Sequence, residues 1–408
     1  VSALGPGLVA FVMVGFAAMG VGEMRWWLNA SAAQIALVVV AVPILAGRSP
    51  RGLAWGVTGL TVLLLASAVQ RIVVSSRENA RGVVAAGDLL QPLYRDIAVA
   101  LRASQPEGDI VLLANPNASA GIAYFGQFQS LGTLFWENAA GLRAAAEIFS
   151  ASDEAEARRL LAARGVTHVV MLTTANFLGE YFQLLHPTRE IAAAKGTWGY
   201  RLLTNPTEAP PWLRAIPLRR TPELAQVGGE VALYRIVPDQ REAERLFHLA
   251  SAQAAAGKFE VAERLLAQAG AQVPREEKGS FELAAGEMLY EWGAEAAAVR
   301  MLRRALTQRP DVAAATTLAW ILATTADDAL RNGNEALGVI RPLVPQFGRD
   351  PLVLSALAAA EAEVGRFPEA IRAAEAAVAT VRASGNSSAV ALLEQRLAAY
   401  RAGRTWRQ

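Results

Sequence analysis

The sequence predicts a multi-domain membrane protein with transmembrane α-helices, a small α/β domain and an all-α helical solenoid. Three observations support this fold class: three uncharged apolar stretches near the start, β-branched runs that flank helical sequence in the middle, and a periodic alanine-rich remainder. A chain of 408 residues usually holds more than one domain. We therefore divide it into 1–75, 76–238 and 239–408.

Composition narrows the class of function. Hydrophobic residues make up 53% of the chain, and the formal net charge is only +2. Basic residues are scattered among acidic ones, whereas proteins that bind nucleic acid usually carry a clustered basic stripe, so we expect no nucleic-acid partner. The absence of cysteine excludes disulfides and thiolate metal sites. Because the chain begins at Val1 rather than Met, we expect it to be a piece of a longer protein.

The first part is expected to cross a membrane three times. The stretches 4–21, 30–46 and 53–69 contain no charged residue, and each is about long enough to span a bilayer as a helix. They predict anchoring helices in an inner or plasma membrane, with the lipid bilayer as a partner. Arginines flank the third helix on both sides, so charge alone leaves the orientation open.

The middle part reads as an α/β domain. Short apolar or β-branched runs predict strands at 110–114, 166–172, 198–203 and 231–237. A helix between the first two has a start signal at Ser152, acidic residues in its first turn, and Gly165 just past its end. A proline-rich loop separates the last two predicted strands.

The last part is expected to be a helical repeat. Alanines at equivalent positions are separated by 36, 38 and 34 residues, and glycines precede several of the repeats; these alanines are Ala262, Ala298, Ala336 and Ala370. Small residues with this period resemble the tetratricopeptide repeat, and about four copies would bury a continuous core. The resemblance implies a protein or peptide partner. Residues 389–402 are predicted to be a capping helix.

Few residues suggest chemistry. The histidines His168, His186 and His248 lie far apart on different predicted elements, so we interpret them as structural. Gly121 and Gly126 do not form a phosphate-binding fingerprint. We identify no catalytic residue and no metal ligand in this chain.

The order of features in 53–175 resembles a known membrane enzyme family. Transmembrane sequence is followed by a strand, a short loop, Leu-Gly-Thr-Leu-Phe-Trp-Glu-Asn, a helix, and Gly-Val-Thr-His-Val-Val-Met-Leu. This order is similar to the junction between the last membrane helices and the soluble domain of oligosaccharyltransferase catalytic subunits. The resemblance implies a C-type glycosyltransferase that moves a glycan from a lipid carrier to an acceptor, with the C-terminal domains on the extracytoplasmic side.

The chain departs from that family at the acceptor loop. Where the family has Trp-Trp-Asp-Tyr-Gly, this chain has Ala-Asn-Pro-Asn-Ala at 114–118. The family's acidic metal ligands lie in an N-terminal membrane part, so no catalytic residue is carried over, and a divalent metal, Mg or Mn, is expected only there. The resemblance implies that acceptor-facing residues are Asn115, Asn117, Trp136, Glu137 and Asn138.

We predict that this chain is the C-terminal portion of a membrane glycosyltransferase, which positions an acceptor or recruits a partner. If the protein is an enzyme, its catalytic membrane part precedes this chain, and a lipid-linked glycan is a further partner. The alternative is a non-catalytic, membrane-anchored tetratricopeptide scaffold for a bacterial envelope or polysaccharide assembly system. A third interpretation makes the α/β domain a small-molecule sensor, with a pocket at the carboxyl ends of its strands.

Overall fold

A computed structural model describes residues 86–133, 136–173, 177–219, 230–383 and 386–408. They belong to one compact unit, 86–408. Within these ranges the chain is mostly helical and contains one small mixed sheet.

The membrane part of the predicted fold class requires correction. Within the ranges just given, no helix is both long and apolar enough to cross a bilayer. The helix α1 (Ala86–Ser104) has 19 residues, but it includes Asp96 and Arg102 among its charged residues, whereas a span needs about 20 predominantly apolar ones. The prediction of a multi-domain membrane protein, and of an inner or plasma membrane location, is therefore wrong for the structure described. The predicted spans at 4–21, 30–46 and 53–69 lie outside the described residues.

The sheet has five strands in the order β2-β1-β3-β5-β4. Its strands are β1 (Val111–Leu113), β2 (Gln129–Leu131), β3 (His168–Leu172), β4 (Leu213–Ile216) and β5 (Val231–Ile236). β1 pairs in parallel with β2 and β3, while β5 pairs antiparallel with β3 and β4. The carboxyl ends of β1, β2 and β3 therefore share one edge of the sheet.

Helices cover both faces of the sheet. Those of the α/β part are α1, α2 (Pro116–Gly126), α3 (Ala139–Phe149), α4 (Glu154–Ala163), α5 (Phe177–Leu185) and α6 (Trp198–Thr204). All five residues of β3 are buried, because Val170 and Leu172 pack toward Ile97 and Ile122 on one face while its alternate residues pack into the core on the other.

One predicted strand is instead a helix. Residues 198–203 fall in α6, which begins after Thr197, whose Oγ1 accepts a hydrogen bond from the Tyr200 amide at 3.4 Å. The ring of Trp198 stacks on that of Trp212, with centroids 6.0 Å apart. The aromatic residues in this stretch led to the strand prediction, but they lie in a capped helix that packs against the core.

The remainder consists of paired helices. Their bounds are α7 (Glu242–Ala255), α8 (Phe259–Gln272), α9 (Lys278–Glu291), α10 (Glu295–Gln308), α11 (Val312–Thr324), α12 (Gly333–Ile340), α13 (Val344–Phe347), α14 (Pro351–Glu363), α15 (Phe367–Ala383) and α16 (Ser387–Arg401). Gly257, Gly293 and Gly365 each turn the chain between the two helices of a pair with a positive φ of 76°, 85° and 78°, a conformation that glycine adopts without a steric cost.

Small residues allow the helices of a pair to approach closely. The four alanines that define the sequence period are all completely buried. The hydrophobic core continues without a break from the sheet into the helical pairs, across the predicted boundary at 238/239. The division of the chain into separate domains stays a prediction.

Candidate functional site

The first two predicted acceptor residues lie where β1 ends. Asn115 is 3% exposed and caps α2, its Oδ1 accepting a hydrogen bond from the Ala118 amide at 2.8 Å. Asn117 lies in the first turn of α2 and is exposed. Asn115 therefore has a structural task, whereas Asn117 is accessible to a ligand.

The other three follow β2. Trp136, Glu137 and Asn138 form a short 3-10 helix. The Asn138 Nδ2 donates a hydrogen bond to Thr133 Oγ1 at 2.9 Å, and Glu137 is exposed. Only the backbone of Trp136 is described. Because β1 and β2 are parallel neighbours, these two loops lie at the same edge of the sheet, but their binding of an acceptor stays a prediction.

His168 is enclosed by polar neighbours. It is fully buried, with Nε2 3.1 Å from Ser104 Oγ and Nδ1 2.9 Å from Thr167 Oγ1. Burial, and then the positive charges of Arg235 and Arg102, lower its pKa to about 4. Both ring nitrogens thus have hydrogen-bonding partners. In the part of the chain that the structure describes, no group of three or more histidine, aspartate or glutamate side chains could hold a metal ion.

A small cavity lies between the β4–β5 hairpin and α7. Its volume is about 170 Å³, and much of its lining is apolar, including Ala215, Leu233 and Leu249. Ligand pockets usually measure roughly 300–1,000 Å³. This cavity is smaller than that range, and the sensor interpretation stays a prediction.

A second candidate site lies on the helical pairs. After α16 the chain turns at Gly403, with a φ of 66°, and then runs back without helical or sheet structure. We call Arg404–Gln408 the returning segment. It contacts a surface that we call the inner groove, which is formed by Tyr290 of α9, Trp320 and Thr324 of α11, Glu363 of α14, and Arg396 of α16.

Gln408 is bonded through both its backbone and its side chain. Its amide donates to the Thr324 carbonyl at 3.1 Å. Its Nε2 donates to Thr324 Oγ1 at 2.8 Å, and its Oε1 accepts from the Tyr290 hydroxyl at 2.9 Å. The Trp320 Nε1 donates to the same hydroxyl at 3.0 Å and thereby orients it. The groove thus satisfies both the backbone amide and the side-chain amide of Gln408.

Arg407 adds an ion pair. Its Nη1 lies 2.7 Å from Glu363 Oε2 and 3.3 Å from the carbonyl of Ala323. The other carboxylate oxygen of Glu363 lies 3.0 Å from Nε of Arg331. The Glu363 carboxylate therefore pairs with two arginines, Arg331 of the helical pairs and Arg407 of the returning segment.

Arg396 lies near two indole rings. Its guanidinium carbon is 4.3 Å from the centroid of Trp320 and 5.8 Å from that of Trp406, distances at which a cation is attracted to an aromatic face. Burial lowers the pKa of Arg396, although the nearby Tyr400 and Tyr290 hydroxyls oppose the shift. Among the described residues, its Nε is buried without a hydrogen-bond partner.

Sequence reasoning did not find this groove. It predicted the capping helix that became α16 but gave no role to the residues that follow. The available signal was the aromatic and basic sequence Thr405-Trp406-Arg407-Gln408, together with Tyr290 and Trp320 on the helices of an otherwise alanine-rich array.

Comparison with known proteins gives one structural likeness. No family model matches the chain. No curated protein matches it either. The C-terminal globular domain of an oligosaccharyltransferase from Archaeoglobus fulgidus is a weak structural neighbour, at 17% identity over 33% of this chain and 88% of that one, with a TM-score of 0.25. A fusion to tetratricopeptide repeats is not shown, and neither a fold nor a residue role is transferred from that neighbour.

Proposed function

We propose that the helical pairs form a tetratricopeptide-type array that recruits a protein partner by binding an extended peptide in the inner groove. The observation that supports it most is the returning segment, which contacts the groove without helical or sheet structure. Stacked helical pairs characteristically use such surfaces for binding.

The groups of the groove suit a peptide. Thr324 offers a backbone carbonyl and a hydroxyl to the chain, Tyr290 offers a hydroxyl, and the Arg396–Trp320 pair offers a flat, cationic surface. The backbone hydrogen bond to the Thr324 carbonyl would be open to a residue of any type, while the carboxylate of Glu363 and the ring surface would select among side chains.

A peptide array tests this proposal. The full chain is applied to immobilised synthetic peptides of random sequence, beside the variants Tyr290→Phe and Trp320→Ala and the control Tyr124→Ala, which alters an exposed aromatic residue on α2. We expect the full chain to retain a subset of peptides, and both groove variants to lose them. Tyr290→Phe keeps the ring, so its fold is preserved. Retention that only Tyr124→Ala abolishes, or that no variant alters, would overturn the proposal.

A second proposal is acceptor positioning for glycan transfer at the sheet edge. Asn117, in the first turn of α2, and Glu137, in the 3-10 helix, support it, because both are exposed and each follows one of two adjacent parallel strands. On the same peptide array, the double variant Asn117→Ala/Glu137→Ala should lose acceptor peptides that Tyr290→Phe retains. If the double variant retains every peptide that the full chain retains, the sheet edge is not an acceptor site. The divalent metal expected for this chemistry remains a prediction for a part outside this chain.

A further inference from the structure

We infer that the returning segment is an internal, displaceable occupant of the inner groove, and that the partner's peptide has its chemistry: an aromatic residue followed by arginine in an extended chain. This inference rests on the proposed recruitment function. It adds the kind of partner and the competition that the partner must overcome.

The ion pair of the groove permits displacement. Glu363 contacts both Arg331 and Arg407, and its side chain is only 15% exposed. A poorly solvated carboxylate that loses its only cation is strongly destabilising. Here Arg331 remains on Glu363 when Arg407 leaves, so the groove can open without leaving an uncompensated charge. The position vacated by Arg407 then favours an incoming arginine.

The contact between Arg396 and the indole rings also permits displacement of the segment. Arg396 lies closer to Trp320, which belongs to the array, than to Trp406, which belongs to the segment. When Trp406 leaves, the Trp320 ring still faces the guanidinium. The exposed face of Arg396 then suits another aromatic side chain, because a guanidinium is attracted to a ring face on either side.

The segment is only partly enclosed. Trp406 packs against the core cluster that contains Leu397 and Tyr400 but is half-buried, while Arg407 and Gln408 are exposed as whole residues despite their contacts. Only Ala402 and Gly403 join it to α16, so the segment is held near the groove at a high effective concentration. A tethered occupant of this kind competes at roughly millimolar effective concentration, in addition to its own ion pair and hydrogen bonds.

The test uses a fluorescein-labelled peptide, Ala-Gly-Arg-Thr-Trp-Arg-Gln, which has the sequence of 402–408. Its dissociation constant is measured by fluorescence anisotropy for the full chain and for a chain shortened to end at Gly403. We expect the shortened chain to bind at least about tenfold more tightly, because the tethered competitor is absent. Peptides with Trp replaced by Ala, or with the last Arg replaced by Glu, should lose binding to the shortened chain.

Point variants keep the test independent of whether the shortened chain folds. Arg407→Glu places a negative charge against Glu363, so it should release the segment and increase peptide binding by the full chain. Arg404→Ala is the matched control, since that side chain is exposed and precedes the contacts with the groove. Arg404→Ala should bind the peptide as weakly as the full chain does.

The outcomes separate this inference from the proposed function. Equal affinity for the full chain, the shortened chain and Arg407→Glu would overturn internal occupancy, while groove-dependent retention of array peptides would still support recruitment. Failure of every form to bind the labelled peptide would overturn the partner chemistry alone. A dimer of the full chain that Trp406→Ala dissociates, seen by light scattering, would make a second copy the occupant and contradict the inference. Loss of array binding would remove the recruitment function itself.

Discussion

At the scale of single residues, polar side chains at the sheet edge divide into structural and accessible ones. Asn115 and Asn117 are two positions apart and were expected to share a role. The first is buried with its oxygen bonded to a helix amide, whereas the second is exposed. Sequence could predict that both follow a strand, but a cap depends on backbone geometry that the residue type alone does not specify.

Replacing Asn115 separates these two roles. Asn115→Ala removes the cap of α2 and should lower the free energy of unfolding by about 1 kcal/mol, measured by urea denaturation. Asn117→Ala is the control, and an exposed substitution of this kind should change it by less than about 0.5 kcal/mol. Equal effects of the two variants would show that the cap does not stabilise the helix.

His168 should make stability depend on pH. Its pKa is lowered to about 4 from 6.5, so between these pH values the unfolded chain binds more protons than the folded one. Stability is then fully present above pH 6.5 and is lost as the pH falls toward 4, at about 1.4 kcal/mol per pKa unit of difference.

The measurement is urea denaturation between pH 7 and pH 4. His168→Gln should be less stable at pH 7 but should lose less stability on acidification than the unaltered chain. His248, whose pKa burial also lowers to about 4, contributes in parallel, so the slope should decrease without vanishing. An unchanged slope in His168→Gln would contradict the assignment.

At the scale of helices and strands, the sequence predicts the elements whose apolar pattern is uninterrupted. The apolar run that contains β3 is buried on both faces. A run of this kind can be recognised as a strand from its local sequence alone. β2 has only three residues, and β4 lies within the proline-rich stretch between Pro211 and Pro217, so neither has enough sequence to show alternation. These strands are specified by pairing with distant partners.

The close approach of α9 and α10 depends on a glycine. A Cβ at Gly286 would lie 2.7 Å from Leu302 Cγ, so Gly286→Ala should destabilise the chain by about 1–3 kcal/mol through overpacking. Gly338, in α12, has nothing within 4 Å of such a Cβ. Gly338→Ala should leave stability unchanged or raise it by up to about 1 kcal/mol, since alanine favours helix.

Thermal unfolding of the two alanine variants, followed by circular dichroism, checks this pair. A lower midpoint for Gly286→Ala beside an equal or higher midpoint for Gly338→Ala is expected. The packing account fails if both variants shift in the same direction by the same amount.

At the scale of the whole molecule, the inner groove combines residues that are far apart in sequence. Gln408 contacts Tyr290 and Thr324, which precede it by 118 and 84 residues. The repeat period made the helical pairs predictable, but no local pattern indicates which groove a following segment enters. The predicted anchoring helices lie outside the described residues, and within those residues no helix could cross a bilayer.

The measurement that tests the central claim most directly is a disulfide across the groove. The chain has no cysteine, so Thr324→Cys/Gln408→Cys introduces a single pair at positions joined by a 3.1 Å backbone hydrogen bond and a 2.8 Å side-chain one, close enough for a bridge to form. Mild oxidation followed by mass spectrometry should find the bridge within one chain, and the control pair Thr324→Cys/Arg404→Cys should stay reduced. Absence of a bridge in the first pair, or bridges only between chains, would contradict the occupied groove.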